Sequence, residues 1–350
     1  MDKVRIGFVG VGSMGQMAHL KNYVTLNDCE VVAIAELREK TGKLVGKRYG
    51  IPNVYTDHLK MIEKEKLDGV AVIQNWDKHL PLLPEIYKRV GHVVTEKPLA
   101  YSAATGEQIS KAAKATNCIH MVGYHKRSDP ATMYAKQVTD EWKASGRYGA
   151  LRYVRVTMPA GDWVANGFLG RLDAGDGCPP VKIEPKPTDM DEKTLNEYIG
   201  FVNYYVHQVN LIRHFFGEPY DIMYADKSGV LLAVESRSGV CGTIEMTPYE
   251  TTLAWEETVL VGFAKGYIKL TLPAPMAINR AGTVEIYKDP EKGKTPERIC
   301  PTMPWIHAMR QQAMNFVRVC KGEMKPPCDV HEAVEDLRIC RQYVQKRFGK

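Results

Sequence analysis

No apolar run in this sequence approaches the roughly 20 residues of a membrane span, so a helical membrane protein is not expected. No two of its eight cysteines (Cys29, Cys118, Cys178, Cys241, Cys300, Cys320, Cys328 and Cys340) form a CxxC pair. That argues against a redox dithiol or a paired-thiol zinc site. Cys328 and His331 have the spacing of half a metal motif, but no second pair joins them, and no metal is expected. The scattered thiols read as reduced filler in a reducing compartment. A dense basic stripe is also missing. The formal net charge is only +6, from 47 Lys and Arg against 41 Asp and Glu. The cluster Lys40, Lys43, Lys47 and Arg48 falls at helical spacing and reads as a solvated helix face. A nucleic-acid partner is therefore not expected. There is no internal repeat and no low-complexity tract. Met1-Asp2-Lys3 runs straight into a strand-like segment, leaving no room for a signal peptide. The expectation is a soluble, cytoplasmic protein with no membrane partner.

What is present is enough apolar material, 44% of 350 residues, for about two full cores. The first third alternates short β-rich runs with helical patterns. The runs are Val4–Val9, Glu30–Ala35, a short piece around Val54, Val70–Ile73, His92–Thr95 and Cys118–Tyr124. Helices are expected over about 15–26, from the charged stretch to Tyr49, near 80–88, and over 102–116. This rhythm specifies an α/β domain with a doubly wound parallel sheet and right-handed crossovers. After Tyr124 the pattern changes. A helix over 130–145 precedes strand candidates at Leu151–Met158, Ile222–Ala225, Val230–Glu235, Val240–Met246, Thr258–Val261, Tyr267–Leu272 and Thr283–Tyr287. Short turns such as Lys227-Ser228-Gly229 and Arg237-Ser238-Gly239 imply an open, mostly antiparallel sheet. Two helices, about 305–321 and 330–348, end the chain, and Gly175–Pro187 reads as an irregular surface loop. The boundary falls at Tyr124, giving a first domain over 1–124 and an α+β domain over 125–350. The uncovered face of the second sheet lies in water or on another copy of the chain, so a homo-oligomer through that sheet is expected.

Gly10-Val11-Gly12-Ser13-Met14-Gly15 follows the first strand and opens the first helix. A lone GxGxxG is weak, but this one has the strand–turn–helix context of a Rossmann dinucleotide site. Gly10 permits the tight turn, Gly12 leaves room for a pyrophosphate, and Gly15 lets helix and strand pack. Ser13 and Met14 lie inside the turn, whose backbone N–H groups face phosphate. Glu36 ends the second strand, about 20 residues on, where an acid holds ribose hydroxyls. It would repel a 2′-phosphate, so NAD is expected as cofactor over NADP. Arg38, beyond Leu37, could instead accommodate that phosphate. Gln74 and Asn75 end the third strong strand, where ligands of open α/β sheets bind, and are equally consistent with a plain turn. His79 just beyond them belongs to the same candidate cofactor set.

Thr95-Glu96-Lys97-Pro98-Leu99 ends the next strand and places Lys97 on the ligand edge of the sheet. A desolvated Lys beside a positively charged nicotinamide has a lowered pKa and can exchange a hydroxyl proton. The glycine fingerprint, Glu96-Lys97-Pro98, Gly123-Tyr124-His125-Lys126-Arg127 and a His-bearing helix together resemble the glucose-fructose oxidoreductase / inositol dehydrogenase family, Gfo/Idh/MocA. The resemblance extends over essentially the whole chain. It implies an NAD(P)-dependent dehydrogenase acting on CH–OH groups, with Lys97 as proton carrier and a Lys–Pro peptide that is often cis. Glu96, Lys97 and His125 then join the cofactor set.

The same resemblance implies an Asp and a His four residues apart on one helical face at the substrate. The matching stretch is Asn203-Tyr204-Tyr205-Val206-His207. His207 fits the family His. Asn203 stands where Asp is common and cannot carry a proton, though it can orient a hydroxyl. Tyr124, Arg127 and Tyr204 are further substrate candidates; Tyr204 and Tyr205 equally suit a core. Asp162, Trp163 and Asn166 suit a sugar ring by stacking and amide hydrogen bonds, or form a surface loop. Asn203 and the Gly175–Pro187 insertion point to a substrate larger or differently presented than a free polyol, such as a glycoside oxidised at C3. The alternatives are an NAD-retaining glycosidase that works by transient oxidation, an NADPH-dependent reductase, and a dinucleotide-sensing binding protein.

Overall fold

The computed structural model describes residues 3–289 and 291–349. Met1, Asp2 and Lys350, at the ends of the two expected domains, lie outside the described residues, as does Pro290. The chain gathers into two compact units. One holds the chain up to Tyr124 together with Asn166–Thr188 and Met309–Leu337; the other holds His125–Ala165, Asp189–Ala308 and the chain from Arg338 onward.

The first unit is built on β1 (Val4–Val9), β2 (Cys29–Ala35), β3 (Asn53–Tyr55), β4 (Gly69–Val72), β5 (His92–Glu96) and β6 (Ile119–Gly123). All pair in parallel in the order β3-β2-β1-β4-β5-β6. That is the doubly wound dinucleotide-binding order, with its switch point between β1 and β4. Every residue of β4 is buried, as a strand covered on both faces must be. The helices between strands are α1 (Lys21–Tyr23), α2 (Glu39–Tyr49), α3 (His58–Lys64), α4 (His79–Tyr87) and α5 (Ala103–Thr116). The core joins Ile6, Phe8, Leu20, Tyr23 and Ile34 to Phe316 and Val317 of the helix Ala308–Cys320, with Tyr23 edge-on to both Phe8 and Phe316.

The helix expected over 15–26 takes another form. Gly15–Leu20 is a π-helix, and only Lys21–Tyr23 is α-helical. The wider turn takes in an extra residue. Gln16 and His19 are both turned into the interior by it, each 1% exposed.

The second unit begins with α6 (His125–Ser128), α7 (Pro130–Ser145), β7 (Leu151–Ala160), α8 (Glu192–Tyr204) and α9 (Val206–Phe216). It continues through β8 (Tyr220–Ala225), β9 (Leu231–Ser236), β10 (Cys241–Glu250), β11 (Glu257–Phe263), β12 (Gly266–Leu272), β13 (Thr283–Lys288) and β14 (Glu297–Ile299). The sheet order is β14-β13-β12-β11-β7-β10-β9-β8. It is antiparallel apart from the β7–β10 pair, which runs parallel through the middle. Burial alternates along β11, so one face is core. Helix α9 packs on β7 and β10, and α7 on β12 and β13. Gly242 admits this approach: a Cβ there would stand 2.9 Å from the Phe216 ring and 3.0 Å from Ile212. The other face carries polar side chains, with Tyr153 Oη bonded to Thr243 Oγ1 at 2.6 Å and Tyr267 stacked on Tyr287. No helix among the described residues is long and apolar enough to cross a membrane.

Candidate active site

The first unit assembles a dinucleotide cradle from its strand ends. Gly10 has φ +94°, and a Cβ on it would lie 2.1 Å from Gln74 Nε2. A Cβ on Gly15 would lie 2.5 Å from the Gly10 carbonyl oxygen. Those two glycines are required by the turn's own packing. Gly12 differs: a Cβ there would meet nothing nearer than Arg38 Nη2 at 4.0 Å, so it faces open space. Turn-forming glycines flanking one that leaves room are what a bound pyrophosphate requires. These residues fit a dinucleotide.

At the end of β2, Glu36 is buried and accepts from Val11 N at 3.0 Å, Arg38 Nε at 2.9 Å, Arg38 Nη2 at 3.1 Å and Arg38 N at 3.2 Å. Burial pushes its carboxyl up, but the hydrogen bonds from Arg38 and Val11 outweigh that and hold it below the usual range. Leu37 is exposed and Ser13 and Met14 are half-buried. Gln74 donates to the Val9 carbonyl at 3.3 Å and packs under the glycine turn; Asn75 stays exposed.

At the end of β5 the Lys97–Pro98 peptide is cis. Glu96 is buried, and its Oε1 stands 2.6 Å from His19 Nε2 while Oε2 accepts from Lys97 N at 3.2 Å. Burial raises the Glu96 pKa and the His19 hydrogen bond, with the nearby charges, brings it net below the ordinary value. His79 is placed otherwise than its role in a cofactor set requires. It is fully buried, with Nδ1 2.9 Å from the Leu99 carbonyl, so it braces the Lys97–Pro98–Leu99 turn and has no open surface for a ligand.

In the second unit, His125 and His207 meet edge to face, ring centroids 4.7 Å apart. His207 is on α9 and buried; Asn203 is on α8 and exposed. The two are therefore not on one helix, because the chain breaks at Tyr205 between α8 and α9. Arg127 is 3% exposed and donates from Nε to Asn210 Oδ1 at 2.6 Å, so its charge is committed to the interior and not to a ligand. Tyr124, in the first unit, is 2% exposed. Asp162 closes its own loop, accepting from Val164 N at 2.9 Å and Ala165 N at 3.0 Å. Trp163 is 37% exposed. Asn166, in the first unit, has φ +58° and its carbonyl accepts from Leu169 N at 3.0 Å. Tyr204 is half-buried, edge-on to Tyr205.

Sequence reasoning missed two sets of residues. His19 carried a readable signal, a lone His amid the apolar face of the first helix. A second buried cluster did not: Lys126 pairs with Glu257, which also accepts from Gln208 Nε2 at 2.7 Å and Trp255 Nε1 at 3.2 Å. Its members are scattered along the chain. The Gly175–Pro187 insertion is also corrected. The segment Asn166–Thr188 belongs to the dinucleotide unit, where its hydrogen bonds reach Ser13, Gln16, Thr41 and Tyr101; these give no ground for reading substrate size from it.

Residues 4–124 match the profile of an oxidoreductase family with an NAD-binding Rossmann fold, GFO_IDH_MocA. The chain is similar to a myo-inositol 2-dehydrogenase of Thermotoga maritima, 23% identical over 69% of this chain and 63% of that protein. It is also similar to a glycosyl hydrolase family 109 protein of Akkermansia muciniphila, 29% identical over 44% of this chain and 34% of that one. Both matches span less than two thirds of the relative's own length. The crystal structure of aldose-aldose oxidoreductase from Caulobacter crescentus shares the fold, with a TM-score of 0.70, 18% identity, and 99% of this chain and 98% of that chain covered.

Proposed function

We propose, from the premise that this chain belongs to the Gfo/Idh/MocA oxidoreductase family, that it is an NAD-dependent dehydrogenase of a secondary alcohol on a sugar, glycoside or cyclitol. The observation that carries this reading is the cradle of the first unit, with Lys97 on the same strand-end edge. Residues 1–124, with Asn166–Thr188 and Met309–Leu337 of the same unit, are assigned to the dinucleotide, and the rest of 125–350 to the substrate and to self-association. Gly10, Gly12, Ser13, Met14 and Gly15 hold the pyrophosphate, and Glu36 the adenosine ribose. Bound NAD supplies the hydride acceptor. Lys97 takes the hydroxyl proton as the C–H bond is broken, and His207 is the second residue assigned to proton chemistry. Glu96 holds the Lys97 backbone in place. Asn203, Trp163 and Tyr204 are assigned to substrate hydroxyls and ring faces.

The test is a panel of inositols, aldoses and glycosides with NAD, followed at the NADH absorbance, with NAD binding measured by calorimetry. NADH formation with at least one member is expected. NAD binding without turnover on any polyol or glycoside would sink the activity, and absence of NAD binding would sink the cofactor assignment as well. A second reading, an NAD-retaining glycosidase, is favoured by the hydrogen bonds that Arg171 and Leu172 make to Ser13 and Gln16 of the glycine turn and the helix it opens. Free sugar released without net NADH would select it. Self-association through the polar face of the second sheet is part of the proposal, read by light scattering of the eluted protein.

A further inference from the structure

Helix α2 begins directly after the β2 end to which the adenosine ribose is assigned, and its N-terminus has no cap of its own. Arg38 occupies the N-cap position and makes no capping side-chain bond. The first-turn N–H groups still need an acceptor, and the helix dipole favours an anionic one. Asp176, from far along the chain, supplies it. Its Oδ2 accepts from Lys40 N at 2.7 Å, and its Oδ1 from Thr41 N at 3.2 Å and Thr41 Oγ1 at 2.5 Å.

The placement is built. Leu172 N donates to Gln16 Oε1 at 2.9 Å while the Leu172 carbonyl accepts from Gln16 Nε2 at 2.9 Å, and the Leu172 side chain packs against the core of the first unit. Ala174 N donates to Thr41 Oγ1 at 3.1 Å. Asp173 stands 3.7 Å from Arg38 Nη1. A phosphate on the 2′ position of the ribose would need the donors gathered here: the Arg38 guanidinium, Lys40 N, Thr41 N and the Thr41 hydroxyl. Each of them is already matched by a carboxylate of Glu36, Asp173 or Asp176.

We propose that Asp176 is the specificity-determining residue that turns away the 2′-phosphorylated dinucleotide, by occupying with its own charge the anion position such a phosphate would take. This deepens the NAD assignment above and rests on it. A 2′-phosphate brings about −1.5 to −2 of charge at neutral pH against this group of carboxylates, while NAD brings only hydroxyls.

The experiment measures equilibrium dissociation constants of NAD and NADP by calorimetry for the wild type, Asp176→Asn and Asp176→Ser, at low and high salt. The wild type is expected to bind NAD at least ten-fold more tightly. Asp176→Asn keeps an acceptor for the α2 amides and removes only charge. It should tighten NADP about ten-fold, leave NAD within about three-fold, and show a smaller gain at high salt. Asp176→Ser should do the same should the Asn variant fail to fold. A wild type that binds both dinucleotides equally overturns the NAD assignment itself. A discriminating wild type whose two variants still reject NADP overturns the role of Asp176 alone, as does a gain indifferent to salt.

Discussion

Two buried carboxylates stand at strand ends of the first unit, after β2 and at the end of β5 with β1 and β4 between them, and they are held differently. Glu36 after β2 is gripped by a guanidinium through two side-chain bonds. Glu96 at the end of β5 is held by the His19 imidazole and by the backbone of the adjacent Lys97. A guanidinium is a fixed charge in a fixed fork. An imidazole offers one nitrogen as donor and the other as acceptor, in either tautomer. The contrast matches the two proposed tasks: the β2 end is assigned to hold the ribose, and the β5 end carries the group assigned to move a proton.

The comparison breaks hardest at Lys97. Lys97→Ala is expected to cut turnover by about 10³-fold, within the range of lost general acid–base catalysis, and to leave the NAD dissociation constant nearly unchanged. Calorimetry beside a turnover assay reads both. Turnover within ten-fold of wild type would mean that another residue carries the proton. His19→Ala tests the support beneath it. Removing the imidazole leaves Glu96 buried without that partner, at a cost of about 3 kcal/mol. The melting temperature should fall by roughly 5–10 °C. His19→Gln, which keeps a donor, should recover part of that fall, and an unchanged melt in His19→Ala would show that the pair contributes nothing. Glu36→Gln is the counterpart at the β2 end. It should weaken NAD about ten-fold, the worth of one charge-assisted bond to a hydroxyl, and leave the rate at saturating NAD almost untouched. A large loss of rate with unchanged affinity would erase the division of labour.

How far the sequence reached follows from how local each signal is. The parallel sheet was legible because each strand is a short β-rich run and each crossover a helix, so alternation alone dictates the topology. The glycine turn, Glu36 and Lys97 were legible for the same reason, as each sits at a fixed offset from a strand end. The strands of the second sheet were legible too, but the parallel β7–β10 pairing at its centre was not, since nothing in either strand encodes a partner about 90 residues away. The π-helix escaped because an amphipathic pattern read at 3.6 residues per turn does not register one inserted residue. His79 reads as a ligand by its position past Gln74, yet the turn after Pro98 claims its ring. Asp176 lies in a Gly- and Pro-rich stretch with no periodicity, so its seat on α2 is decided wholly by tertiary contacts.

Glu184, from the same stretch as Asp176, gives a third way of holding a buried carboxylate, by a proton in place of a cation. It is 2% exposed and accepts from Tyr101 N at 3.2 Å, while its own N–H donates to the Asp77 carbonyl at 2.6 Å. Burial raises its carboxyl, hydrogen bonds from Thr105 and Tyr101 offset part of the rise, and the result is about 7 against an ordinary 4.5. Because the folded value is the higher one, the folded chain binds more protons than the unfolded chain between those two pH values. This group's contribution to stability is therefore greatest below pH 4.5, declines as pH rises to about 7, and is flat beyond. Glu184→Gln keeps the shape and an acceptor and cannot ionise. Its melting temperature should match wild type near pH 4.5 and exceed it by about 3 °C at pH 8. Glu36→Gln, which removes a carboxyl whose value is depressed, should show the opposite sign, losing stability relative to wild type as pH rises through the carboxylate range. Parallel wild-type and Glu184→Gln curves across pH 5–8 would show that Glu184 is ionised like any surface acid.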